Sequence, residues 1–350
     1  MVQIHVWLPD ATHVGHTALI LDTRSNTPLR TGIIKMKVYY NHHYNINLGL
    51  LNFIHPFDGM KFKKVFQAIK NSPDITIAEP LAPVSQEAIE NFVNALIQRF
   101  LRHKSHIFRA LEVPNIPFVS TSFIDKKVLS PMRWGVAGTI AAATEALKSG
   151  QLCWNLAGGY HHASPHNMEG FCIYNDIGIC YQQLLSQGLL SAQDKILIID
   201  TDAHHGNGNA TTFMENDRVT ILDIYNSQIY PMIYTTRERV NIGVPLAMGT
   251  TGETYLEKYT AALKKLDKDY RLAFAVAGTD VLASDKLGGL KLSVEDVVNR
   301  EKLTVKALLE KNIPTVILGG GGYSRESAKS IAASILACVK ITHRPAKESV

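Results

Sequence analysis

From about residue 130 onward, short apolar runs alternate with amphipathic stretches of helical length, and the hydrophobic period changes at each boundary. The apolar runs predict buried strands at Leu152–Leu156, Lys195–Asp200, Val219–Ile224, Leu272–Ala277 and Thr315–Leu318. Each is short, rich in Val, Ile, Leu or Ala, and closed by Gly or Asp. The amphipathic stretches predict helices at about 135–149, 175–188, 254–268, 293–311 and 325–340. Strand–helix–strand units of this kind connect right-handed and set helices on both faces of one sheet. The predicted fold class is therefore α/β, a three-layer α/β/α arrangement around a mostly parallel central sheet.

The N-terminal third is less regular. A strand at Lys35–Tyr40 leads to the loop His55-Pro56-Phe57-Asp58-Gly59, then a helix over Lys61–Lys70 and a second over Ser85–His103. Residues 36–340 contain no repeat, low-complexity tract or Gly/Ser linker, which favours one continuous domain. Residues 1–35 read as an N-terminal extension of different texture, and 341–350 as a polar tail.

Composition narrows the class. With 46% hydrophobic and 19% charged residues the chain is an ordinary globular protein, and its net charge of +5 is scattered rather than gathered in a basic block. Direct nucleic-acid binding is not expected. Four cysteines without a C-x-x-C pair suggest neither a disulfide framework nor a thiolate zinc site, which fits a reducing compartment. No apolar run approaches the ~18 residues of a membrane span, and no secretory signal is evident. The expectation is a soluble, intracellular protein of cytoplasm or nucleus, with no membrane partner.

The candidate chemistry follows the strands, where open α/β sheets bind their ligands. Gly158-Gly159-Tyr160-His161-His162 follows the first strand of the alternating region, and Asp200-Thr201-Asp202-Ala203-His204-His205-Gly206-Asn207-Gly208 closes the second. Asp223, then Gly278-Thr279-Asp280, then Gly319–Gly322 with Tyr323 follow the other three. Taken singly, each is a satisfied polar group or a tight turn at a strand end. Five at one end of one sheet favour a site.

On an extended strand end, Asp202 and His204 point to the same side and can share an ion, and Asp280 would complete three protein ligands. Two carboxylates and an imidazole leave an open position, which suits catalytic Zn²⁺, although Fe²⁺ or Mn²⁺ would accept the same set. Asp200 is then placed to orient a histidine or hold a monovalent cation. One of His161 and His162 can serve as a base, with Asp200 or Asn207 setting its tautomer. The glycine run lacks the spacing and lysine of a phosphate-binding loop, so Tyr323 reads as a phenol able to donate to an oxyanion.

These motifs, together with Gly170-Phe171-Cys172-Ile173-Tyr174-Asn175-Asp176 and the run 277–290, resemble the zinc-dependent histone deacetylase family over roughly residues 36–340. Tyr40-Asn41, Asn45-Ile46, the His55–Gly59 loop, Asp223-Ile224-Tyr225-Asn226 and Ile229-Tyr230-Pro231 are most similar to class IV deacetylases and their bacterial relatives. The resemblance implies an arginase/deacetylase fold and a hydrolase that removes acyl groups, acetyl and long-chain, from lysine side chains of proteins or peptides, histone tails included, as a chromatin regulator would. It implies Asp202, His204 and Asp280 as ligands of one catalytic Zn²⁺, His162 as general base and acid, and His161 with Asp200 as its electrostatic partner. Tyr323 would polarise the carbonyl. Gly170, Phe171 and Tyr230 would line the acyl-lysine tunnel, with Leu287 near its mouth. Asp200 with Asp223 would mark a K⁺ site, and Asn207 stands where many class I members carry Asp. Rival readings are an acetylpolyamine amidohydrolase, an arginase-type ureohydrolase, and an inactive acyl-lysine reader. The ureohydrolase is disfavoured because Asp280 is followed by Val281-Leu282 rather than by a second carboxylate.

Overall fold

The computed structural model describes residues 35–49 and 55–342. The N-terminal extension, apart from Lys35, and the polar tail, apart from Ile341 and Thr342, lie outside the described residues. Eight strands form one sheet: β1 (Met36–Tyr39), β2 (Ile75–Ala78), β3 (Leu152–Asn155), β4 (Lys195–Asp200), β5 (Val219–Asn226), β6 (Ile242–Leu246), β7 (Tyr270–Val276) and β8 (Thr315–Leu318). Their order is β2-β1-β3-β8-β7-β4-β5-β6, and every pairing between them is parallel.

Strand side chains alternate between two cores, as a sheet covered on both faces requires. Leu197, Ile199, Ala273 and Ala275 face one core, which helices Lys61–Ile69, Gly252–Leu263, Val294–Glu310 and Ser327–Thr342 complete. Ile196, Ile198, Leu272 and Phe274 face the other, closed by Ser130–Ser149 and Asp176–Ser186. The fold is thus the three-layer α/β/α arrangement.

The six strands read from the pattern are present, and the two it misses are the edges. β2 is four residues long, and β6 is interrupted by Gly243 and Pro245, residues that edge positions tolerate. The single helix expected over Ser85–His103 is instead Gln86–Phe92 and Ala95–Phe100. Val93 is extended, and the Asn94 side chain caps the second helix by accepting from Ile97 N. Among the described residues, no helix is long and apolar enough to cross a membrane.

Two features of the sheet position the site. β3 and β4 are consecutive in the alternating region but separated in the sheet by β8 and β7, so loops from distant parts of the chain meet at their carboxyl ends. Asp223 lies within β5, in register with Asp200. The strand runs on to Asn226 because Ile224 and Tyr225 remain buried and paired with β6.

Candidate active site

Asp202, His204 and Asp280 come together in a buried trio whose donor atoms all lie within 4.8 Å of one another. His204 Nδ1 stands 3.1 Å from Asp202 Oδ1 and 2.7 Å from Asp280 Oδ2. They do not converge by extended-strand spacing, because β4 ends at Asp200 and residues 202–204 bend. The bend is held by Ala203 N donating to Asp280 Oδ1 and His204 N donating to Asp202 Oδ1. Burial and the Asp202 charge push the Asp280 carboxyl up to about 7. Against the same burial, His161 and His204 hold Asp202 well below the usual carboxylate range. Two carboxylates and an imidazole nitrogen aimed at one point in a dry pocket are a donor set that a divalent cation satisfies.

The histidine pair is divided between two partners. His161 Nδ1 is 2.8 Å from Asp200 Oδ2, while His162 Nδ1 is 2.7 Å from Asn207 Oδ1. Burial opposes the charged form of His161, but Asp200 and Asp202 outweigh it and raise its pKa to about 9. For His162, burial and then the neighbouring His161 and His204 push the pKa well below the usual range. The surroundings of the two adjacent imidazoles thus pull in opposite directions, toward the cation on His161 and toward the neutral ring on His162.

The glycine run after β8 is a crowded turn. Gly321 N donates to Asp202 Oδ2 at 2.7 Å, and a Cβ at that position would lie 2.7 Å from both Asp202 Oδ2 and Asp280 Oδ2. The turn carries Tyr323, whose ring meets Phe57 at 6.5 Å and Phe171 at 5.5 Å between centroids. Burial, then Asp202 and Asp280, push the Tyr323 hydroxyl well above its ordinary pKa, so it stays a donor. Gly170 has φ +56°, and a Cβ there would collide with the His162 ring, so glycine lets this segment approach the imidazole. Tyr230 packs 5.3 Å from His162, and both it and Leu287 are exposed.

Further from the trio, His205 Nδ1 lies 2.6 Å from Asp223 Oδ2 and its Nε2 2.9 Å from Thr236 Oγ1. Asp223 Oδ1 is buried with no partner among the described residues.

Several residues that support these groups were given no role from the sequence, although one of them, Asp285, lies within the motif run 277–290. Lys61 is buried and donates to the carbonyls of Gly320 and Gly322, at 3.2 and 3.4 Å, with burial bringing its amine down to about 8. Asp285 Oδ2 accepts from Tyr323 N and Ser324 N, at 2.7 and 3.0 Å, and its Oδ1 from Leu287 N. Arg300, fully buried, donates to the carbonyls of Thr201 and Gly278, both at 2.8 Å, and so ties together the two loops that carry the trio. Its charge is met by Glu301, and removing one partner of such a pair costs about 3–5 kcal/mol. Lys61 and Arg300 left no sequence signal beyond a basic residue on the apolar side of an amphipathic helix.

A family comparison matches residues 55–339 to the histone deacetylase domain. The chain belongs to the histone deacetylase family. It is 34% identical over 310 residues to histone deacetylase 2 of Arabidopsis thaliana, covering 86% of this chain and 78% of that protein. The crystal structure of the HDA15 HD domain superposes with a TM-score of 0.68 at 16% identity, covering 88% of this chain and 90% of that one. An acetylpolyamine aminohydrolase from Burkholderia pseudomallei gives 0.67 at 17%, covering 87% and 98%. These two likenesses establish the arginase/deacetylase fold. With its family and its buried Asp–His–Asp trio, this histone deacetylase relative is a metal-dependent amide hydrolase.

Proposed function

We propose that the protein is a zinc-dependent lysine deacylase of class IV type, with residues 36–340 as its catalytic domain and Asp202, His204 and Asp280 as the metal ligands. The observation that carries this reading is the convergence of that trio with a neutral His162 and the Tyr323 phenol beside an aromatic-walled passage. When bound, the cation supplies Lewis acidity toward the acyl carbonyl and the attacking water. His162 Nε2 takes the proton of that water, since its Nδ1 is engaged by Asn207. His161, cationic against Asp200, adds positive charge beside the developing oxyanion and keeps His162 neutral until it acts. Tyr323 donates to the oxyanion, and His162 then returns its proton to the leaving lysine amine. Phe171 and Tyr230 fit either side of a thin apolar stem.

Asp200 and Asp223, paired across adjacent strands, with one oxygen of Asp223 lacking a partner among the described residues, suit a K⁺ ion. The substrate is an acyl-lysine protein or peptide, histone tails included, met inside the cell. Turnover of an acetyl-lysine peptide that disappears with chelator and returns with Zn²⁺ is the expected result. Turnover that survives complete metal removal would sink the reading.

The acyl chain-length preference has its own support. An apolar cavity of about 130 Å³ is lined by His161, His162, Phe171 and Tyr323 together with Leu111, Ile116, Val119, Ile124, Val128 and Met132. That is roughly ten times the ~10–15 Å³ that one water needs, far more than an acetyl methyl fills. Burial of each further CH₂ contributes about 0.8 kcal/mol. A myristoyl-lysine peptide should therefore show a higher kcat/KM than its acetyl counterpart. Val119→Trp, which fills the cavity, should reverse that order while sparing acetyl turnover. A clear acetyl preference in the unaltered enzyme would refute the long-chain version.

A further inference from the structure

Glu169 has no part in the chemistry proposed for His162 and Tyr323, yet its carboxylate bears on two pieces of the site. Oε1 accepts from Asn207 Nδ2 at 2.6 Å, and burial, with the charge of the same carboxylate, raises the pKa of the Tyr230 hydroxyl. The other end of the Asn207 amide, Oδ1, faces His162 Nδ1 at 2.7 Å. Glu169 itself is half-buried and fixed by its backbone, its carbonyl accepting from Cys172 N at 2.9 Å, with Gly170 and Phe171 between them both at positive φ.

An amide has one donating and one accepting end, and nothing in its shape decides which way round it sits. A carboxylate decides it, because it can only accept. With Glu169 taking the NH₂ end, Oδ1 is left for the imidazole, so His162 Nδ1 must carry the ring hydrogen and Nε2 the lone pair. The flipped amide would set its oxygen against the carboxylate and its NH₂ against Nδ1. It would stabilise the tautomer with the hydrogen on Nε2, which cannot take a proton there. An Asp at position 207 would need no such help, since both its oxygens accept.

We infer that Glu169 is a positioning residue that fixes the tautomer of His162 through Asn207. The inference rests on the reading of His162 as the base.

The test uses the zinc-loaded protein, Glu169→Gln, Asn207→Asp, and the double variant carrying both. Glu169→Gln keeps size and shape but removes the acceptor-only constraint, and Asn207→Asp sets two carboxylates against each other. Glu169→Gln should lower kcat for an acetyl-lysine peptide by about tenfold, the scale seen when a partner behind a metal-site histidine is lost, and Asn207→Asp should lower it through its repulsion with Glu169, although its oxygen still accepts from His162 Nδ1. The double variant exchanges amide and carboxylate, restores one donor facing one acceptor, and should recover most of the lost rate. Imidazole nitrogen NMR, with the His162 signals identified by their loss in His162→Gln, should show hydrogen on Nδ1 in the unaltered protein. In Glu169→Gln it should show a mixture of tautomers. An unchanged tautomer in Glu169→Gln, or a double variant slower than either single one, would overturn the inference. The tautomer measurement needs no turnover. Failure of the unaltered protein to hydrolyse acyl-lysine would therefore count against the proposed function, while the NMR signals would still decide the role of Glu169.

Discussion

Tyr323→Phe should retain bound zinc and lower kcat by roughly 10²–10³, the loss expected when one oxyanion donor is removed. The ring can stay where it is, because its place is set by the packing of Phe57 and Phe171 and by Asp285 holding the backbone N–H groups of Tyr323 and Ser324. None of these contacts involves the hydroxyl. That hydroxyl stays protonated, since burial and the charges of Asp202 and Asp280 oppose the phenolate. It is therefore able to donate, and under the proposed function its bond would strengthen as charge moves onto the acyl oxygen. Such a bond acts on the transition state more than on the bound substrate, so KM should move far less than kcat. An acyl-lysine peptide should even be trapped intact in the variant. A Phe variant with unaltered kcat would leave Tyr323 as a strand-end aromatic and move oxyanion stabilisation to another donor.

The residues around that hydroxyl were unequally visible in the sequence. Tyr323, the histidine pair and the Asp202–His204–Asp280 trio stand directly after apolar runs, and the parallel order of the sheet brings those ends together. What they hold on to was less legible. Either Asp200 or Asn207 could have served either histidine, and the pairing depends on the bend after β4, which spacing along an ideal strand does not give. The supports come from far along the chain. Lys61 is 259 residues from the Gly320 carbonyl it binds, and Arg300 is 99 from Thr201. In sequence each reads as one more charged residue on a helix.

The apolar cavity beside Tyr323 was invisible for a different reason. Its walls, among them Ile124, Val128 and Met132, are ordinary core residues of a region built from short helices, and only three-dimensional packing reveals that they stop short of filling the space. Even the broken helix at Val93 and Asn94 belongs to this region. Local caps there override the longer hydrophobic period.

Loss of a ligand should have the largest effect of all, and it separates metal binding from folding. Asp280→Asn and His204→Ala should each lose zinc and all measurable turnover. Removing a direct ligand costs more than the ~10–100-fold in affinity that accompanies loss of a partner behind it. The ion stabilises the native state by mass action, about 4.1 kcal/mol when free metal is a thousand times Kd. The unaltered protein should therefore show a clear rise in Tm on adding zinc, and both variants should lack it. Without metal the order changes. Asp280 is buried beside Asp202, and its carboxyl is pushed up to about 7 by burial and by that neighbour. Replacing it with the neutral, equally sized Asn removes a repulsion that the metal-free fold must otherwise carry. Metal-free Asp280→Asn should thus melt at or above the temperature of the metal-free parent, although it has no activity. Such a result would identify the trio as a site built for a cation at the expense of the empty fold. A variant that kept both its zinc-dependent rise in Tm and its turnover would remove Asp280 from the ligand set.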